Sequence, residues 1–270
     1  MISIHSAKSD NLLFCINKEL SKIRWFINYC KVLNMYKVLI EYYYSNKQYN
    51  NIIDTTIDIV NLIIKKKKKF NIDSNHYILS IIFAKYIDSC NNLKKKLDDI
   101  VFNFIENNYT NYKYIFYGKI AHNFKIIKNY VKSIEYYNKF LAHTSNKEDI
   151  LLEIVKIEII YNEYIKASEI FENLAINYSK NDLTLFNGFY YFKEAILLII
   201  DIYDFNTLNS KIINFIQMFP SFENSKNYNE LIKILNTYFD KNKNEMNYII
   251  KYYEFSPFVL EKLQFLTNHL

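Results

Sequence analysis

The stretch Asn129-Tyr130-Val131-Lys132-Ser133-Ile134-Glu135-Tyr136-Tyr137-Asn138-Lys139-Phe140 decides how the chain reads, because it returns 34 residues later. Glu163-Tyr164-Ile165-Lys166-Ala167-Ser168-Glu169-Ile170-Phe171-Glu172-Asn173-Leu174 lays over it position by position, with Tyr130 matched to Tyr164. Both copies carry apolar residues three and four apart, the period of a helix with one buried face. A return at this spacing is that of a helix–turn–helix unit. One such unit exposes an apolar face, so neighbours must stack to bury it.

Upstream of the first copy, Tyr117, Ile120, Ala121 and Phe124 supply a partner helix. The small Ala121 and Ser133 let the paired helices approach, and the aromatics around them fill the remaining gap. This pattern resembles the tetratricopeptide-repeat family, strongly over 112–180 and loosely over 35–255. The second unit keeps Leu151, Ile154, Tyr164, Ala167 and Phe171 but departs at Val155 and Glu158. A third unit is anchored on Phe205, Leu208, Ile212, Phe215 and Pro220, with seven extra residues, about two helical turns. Before residue 110 the period drifts. The resemblance implies an all-α fold: a right-handed α-solenoid of about five to six helical hairpins with capping helices at both ends. The whole of 1–270 is then expected to be a single helical-repeat domain.

The boundaries follow from capping chemistry. A first helix is expected over 11–34, with Leu12, Ile16, Leu20, Ile23 and Ile27 on one stripe, and further helices over 35–46 and 48–68. Asp73 or Ser74 suits the cap of a helix reaching Cys90, followed by one over 93–107. Lys94 and Asp98 would then pair on one helix face. Ser145 and Glu148 have capping-box spacing, Asp182 suits a cap before Leu183, and Ser256-Pro257 opens a last helix over 257–269.

Composition narrows the function classes. Among 270 residues there are only 2 Gly and 2 Pro, too few for glycine-rich phosphate loops or a turn-rich sandwich. The net charge of +6 is modest, its lysines are scattered among acids, and Arg24 is the single arginine, which argues against nucleic acid. Ile, Asn, Lys, Tyr and Phe are the residues of AT-rich codons, which also accounts for the run Lys65–Lys69. Cys15, Cys30 and Cys90 lack metal or redox spacing and read as buried free thiols in a reducing cytoplasm. The start lacks signal-peptide character, and no run approaches a membrane span.

No catalytic or metal constellation appears: the histidines are isolated, and no zinc or nucleophile-elbow motif occurs. The reading is therefore a non-catalytic binding module with no cofactor. In the repeat family the first helix of each hairpin lines a concave surface. That implies a groove for a peptide or protein partner formed by Lys119, His122, Lys125, Ile126, Leu152, Lys156, Ile159, Asn187 and Tyr190, with Gly118, Tyr191, Lys193 and Glu194 in nearby register. The histidine and lysines would favour an acidic or carboxylate end. The carboxylate-clamp function does not carry over, since Gly118, His122 and Glu153 stand at its matching positions. A peptide-sensing regulator, similar to the sensor half of Gram-positive pheromone receptors but without a recognisable helix-turn-helix, is the alternative. A homodimer is left open.

Overall fold

Helical spacing with almost no glycine or proline to interrupt it becomes helix from end to end. The computed structural model describes residues 2–22, 28–66 and 70–270, with residues 2–8 as backbone alone, and among these it holds fourteen α-helices and no strand. The chain divides into two units, Met1–Ser145 and Asn146–Leu270.

The first unit runs α1 (Ile2–Leu20), α2 (Tyr29–Ser45), α3 (Tyr49–Lys65), α4 (His76–Asn92), α5 (Asp99–Asn108), α6 (Tyr117–Ile126) and α7 (Tyr130–Leu141). Consecutive helices fold back as hairpins, α2 on α3 and α6 on α7, while α2, α4 and α6 pack side by side. Phe83 on α4 sits at the centre of an aromatic core, its ring meeting Phe104, Tyr109 and Phe116 at 5.9, 5.6 and 6.1 Å. The α6–α7 pair shows why small residues stand in the repeat: Ala121 and Ser133 are fully buried, and the Ser133 hydroxyl donates to the Ala121 carbonyl at 2.8 Å.

The second unit runs α8 (Lys147–Ile160), α9 (Tyr164–Ser179), α10 (Leu185–Leu198), α11 (Phe205–Met218), α12 (Lys226–Phe239), α13 (Lys243–Tyr252) and α14 (Pro257–His269). Helix α10 is packed by α9, α12 and α14, so ten of its residues are buried, too many for one apolar stripe. Phe192 on α10 stacks on Phe215 of α11 at 3.8 Å, and Phe222 closes that cluster just after Pro220 ends the helix run. Both glycines serve close helix approach rather than a turn. A Cβ on Gly188 would lie 2.8 Å from the Ala175 carbonyl and the Ser179 amide, and one on Gly118 would lie 2.9 Å from the Phe140 ring.

One turn recurs between five pairs of consecutive helices. Lys47, Lys94, Lys128, Asn162 and Lys241 all take left-handed backbone angles, with φ between 53° and 61°. After each, the next amide reaches back five residues: Gln48 to Tyr43, Lys95 to Cys90, Asn129 to Phe124, Glu163 to Glu158 and Asn242 to Thr237, at 2.8–3.0 Å. This is the Schellman closure, which satisfies the open carbonyls of the preceding helix. In four of the five, the following helix starts two residues later, at Tyr49, Tyr130, Tyr164 and Lys243. Glycine is the residue that enters this region without Cβ strain. The triple variant K47G/K94G/K128G is therefore expected to raise the unfolding free energy of the first unit by about 2 kcal/mol. Urea denaturation checks this, and an unchanged midpoint would contradict it.

Several boundaries differ from the sequence expectation. The 11–34 helix is broken: α1 ends at Leu20, a turn follows, and α2 opens at Tyr29 under an Asn28 cap. Ile23 and Ile27, like Arg24 and Lys67–Lys69, lie outside the described residues. Lys94 is a turn residue rather than a helical partner of Asp98, which instead caps α5 by accepting the Ile100 amide at 2.8 Å. Asn146 takes the cap position of α8, and Glu148 accepts the Tyr178 and Tyr191 hydroxyls instead of closing a capping box with Ser145. Asp182 is exposed before a helix that opens at Leu185 after Thr184. Ser256 does cap α14, accepting the Val259 amide at 3.4 Å with Pro257 in the first turn. Cys90 is buried, but Cys15 and Cys30 are exposed; all three are free.

Candidate functional site

The expected groove residues fall into one set on α6 and another on α8 and α10. In the first unit, Lys119 of α6 pairs with Asp88 of α4 at 2.6 Å, His122 is exposed, and Lys125 and Ile126 are half-buried. Beside them Asn123 is buried. Its amide donates to the Asn91 side chain and the Lys95 carbonyl, each at 2.9 Å, which ties α6 to the end of α4. This face presents an exposed imidazole and a lysine already balanced by a carboxylate.

In the second unit, Leu152, Lys156 and Ile159 are half-buried along α8, and Lys156 pairs with Glu153 at 2.6 Å. On α10, Asn187 is exposed and Tyr190 is half-buried. Deeper in α10 the expectation fails. Tyr191, Lys193 and Glu194 are buried: Tyr191 packs on Phe171 and Tyr178 and donates to Glu148, while the C-terminal segment lies over Lys193 and Glu194. The Lys193 ammonium donates to Glu230 of α12 at 2.7 Å and to the Glu254 carbonyl at 3.1 Å. Glu194 accepts the Ser256 amide at 2.9 Å, while its Oε1 is buried with no hydrogen-bond partner. Burial pushes the Glu194 carboxyl up to about 7, against the pull of Ser256 and Lys193.

Helix α14 continues this cover. Phe258 lies 5.9 Å from the Lys156 ammonium. Lys262 is buried, pairs with Asp201 at 2.5 Å, donates to the Leu198 carbonyl and sits 3.8 Å over the Tyr164 ring. Its burial lowers the ammonium pKa, which Asp201 partly restores. Between α14 and the α8–α9 turn a cleft of about 520 Å³ stays open, walled by Ile159, Ile160, Tyr164, Phe258 and Phe265 over the Lys262–Asp201 pair.

The buried charges were the part of this arrangement that sequence reasoning missed. Lys193-Glu194 interrupts an otherwise apolar run from Phe189 to Ile200. A run apolar on every face leaves no solvent side for the two charges, and that was the available signal. Among the described residues no three His, Cys, Asp or Glu side chains gather to hold a metal ion, and no helix is long and apolar enough to cross a membrane.

Stacked helical hairpins that present helix faces and buried structural charges define a helical-repeat binding protein. The model of the family described as soluble NSF attachment protein, SNAP, matches residues 114–260, which is 147 of 270 residues. The chain belongs to the SNAP family, a family of non-catalytic adaptors that bind protein partners. No curated protein matches the chain.

Proposed function

We propose that this protein is a non-catalytic adaptor whose tetratricopeptide-like array, 1–270 acting as one domain, holds a protein or peptide partner in the cytoplasm. The observation that carries the reading is the family match over a stretch that contains α6, α8 and α10, the helices bearing the expected contact residues. The recurrence of one turn before Tyr130 and Tyr164 supports the repeat assignment. The contact residues are Lys119, His122, Lys125 and Ile126 on α6 in the first unit and, as a separate set in the second, Leu152, Lys156 and Ile159 on α8 with Asn187 and Tyr190 on α10. A peptide-sensing regulator uses the same contact set for a short peptide.

The family takes its description from attachment to NSF, so purified NSF is the first partner to offer. Binding is measured by surface capture with the wild-type chain and with H122E/K156E. The expected result is saturable binding that weakens at least about tenfold in the double variant, because a negative charge replaces the exposed His122 imidazole and the half-buried Lys156 ammonium. Equal binding by both chains overturns the contact set. Absence of any bound protein, together with a thermal shift on adding a short peptide encoded beside the gene, moves the reading to the sensor.

A further inference from the structure

The face of α8 and α10 assigned above to a partner already has an occupant, residues 253–270 of the same chain. It is held by core packing together with a set of buried polar contacts. Val259, Leu263 and Leu266 point inward and are buried, at the i, i+4, i+7 spacing of a helix laid into a groove. Tyr253, Phe255 and Leu270 extend this apolar packing, and buried polar contacts stand beside it. Lys193 holds the Glu254 carbonyl, Glu194 holds the Ser256 amide, and Lys262 holds the Leu198 carbonyl and Asp201.

Buried charges give back much of their attraction as lost hydration, so breaking these contacts into water costs less than breaking apolar packing of the same extent. Glu194 adds to this, since its second oxygen has no partner while the segment is closed and gains water when it opens. The fit is also incomplete. The 520 Å³ cleft remains beside α14, with Ile160 and Phe265 on its rim 53% and 62% exposed.

We propose that residues 253–270 form a releasable lid over the α8 and α10 face, and that an amphipathic helix of a protein partner, with the apolar spacing of Val259, Leu263 and Leu266, displaces it. The proposal deepens the adaptor reading and rests on it for the identity of the face. The displacing helix carries a basic residue where Lys262 stands, because Asp201 is left without its cation when the lid leaves. The lid also explains how an apolar face is kept from water while no partner is bound.

Hydrogen exchange of the full-length wild-type chain tests the lid without any partner. Amides of α14 are expected to exchange at least about 100-fold faster than those of α10, the signature of a local opening below global unfolding. Equal protection in α14 and α10 overturns the proposal. A second measurement uses a fluorescein-labelled peptide of residues 253–270 and the full-length variant L263E, which weakens the closed lid. The peptide is expected to bind the variant at least about tenfold more tightly than the wild type, since the competing segment is displaced. A variant that keeps its helical signal yet gains no affinity also overturns the lid. Should L263E fail to fold, the wild-type exchange data decide. Failure of the NSF capture leaves the exchange pattern unchanged, so the two readings fail separately.

Discussion

Replacing Lys193 by methionine lowers the unfolding free energy of the second unit by about 3–5 kcal/mol, the usual cost of removing one member of a buried ion pair. Lys193 is 1% exposed, and its ammonium is the near partner of a Glu230 side chain that is itself only 9% exposed. Without it Glu230 keeps one distant cation, Lys226, at 3.5 Å on a side chain 78% exposed. Urea denaturation followed by far-ultraviolet circular dichroism measures the loss. The double variant K193M/E230L is expected to recover most of it, because an apolar pair needs no hydration to replace. Were K193M as stable as the wild type, the charge would have no structural role and the contact with Glu254 would be incidental.

Gly188→Ala comes next, at about 2–3 kcal/mol, since overpacking a closed interface forces backbone apart. The new methyl would meet the Ala175 carbonyl and the Ser179 amide at 2.8 Å and the Ser179 hydroxyl at 2.2 Å. The hydroxyl can be removed, so S179A in the same chain separates the two causes. If backbone crowding dominates, G188A/S179A stays destabilised relative to S179A; full recovery would assign the cost to the hydroxyl alone. Gly118→Ala is the control, expected to cost under about 1 kcal/mol, because the atoms it meets belong to the half-buried Phe140 ring, which can rotate away.

The helices and their pairing could be read from the chain because a 3.6-residue period survives any choice among apolar residues. Ser256-Pro257 was readable for a second reason: a hydroxyl before proline has few other uses. The Ser145–Glu148 pattern misled because capping is a local bond, and two tyrosines from α9 and α10 take the same carboxylate. The break after Leu20 was hidden by a stripe of isoleucines that keeps helical spacing through it. The groove set was legible only as far as single helices allow. Lys156 and Ile159 can be placed on α8 by counting, but the segment over Glu194 belongs to residues 62 positions away, and no periodicity announces it.

The lysine-bearing bends have an evolutionary consequence. Their shape is written in main-chain bonds, so codon drift towards adenine and thymine can strip glycine from the corners of the array without unmaking them. The penalty at each lysine corner is small, about 1–2 kcal/mol, and it is spread over four places, with Asn162 at the fifth bend. Kinship traced through the residues at such corners fades long before the architecture does. Descent in proteins of this composition is better followed by comparing backbone angles than letters.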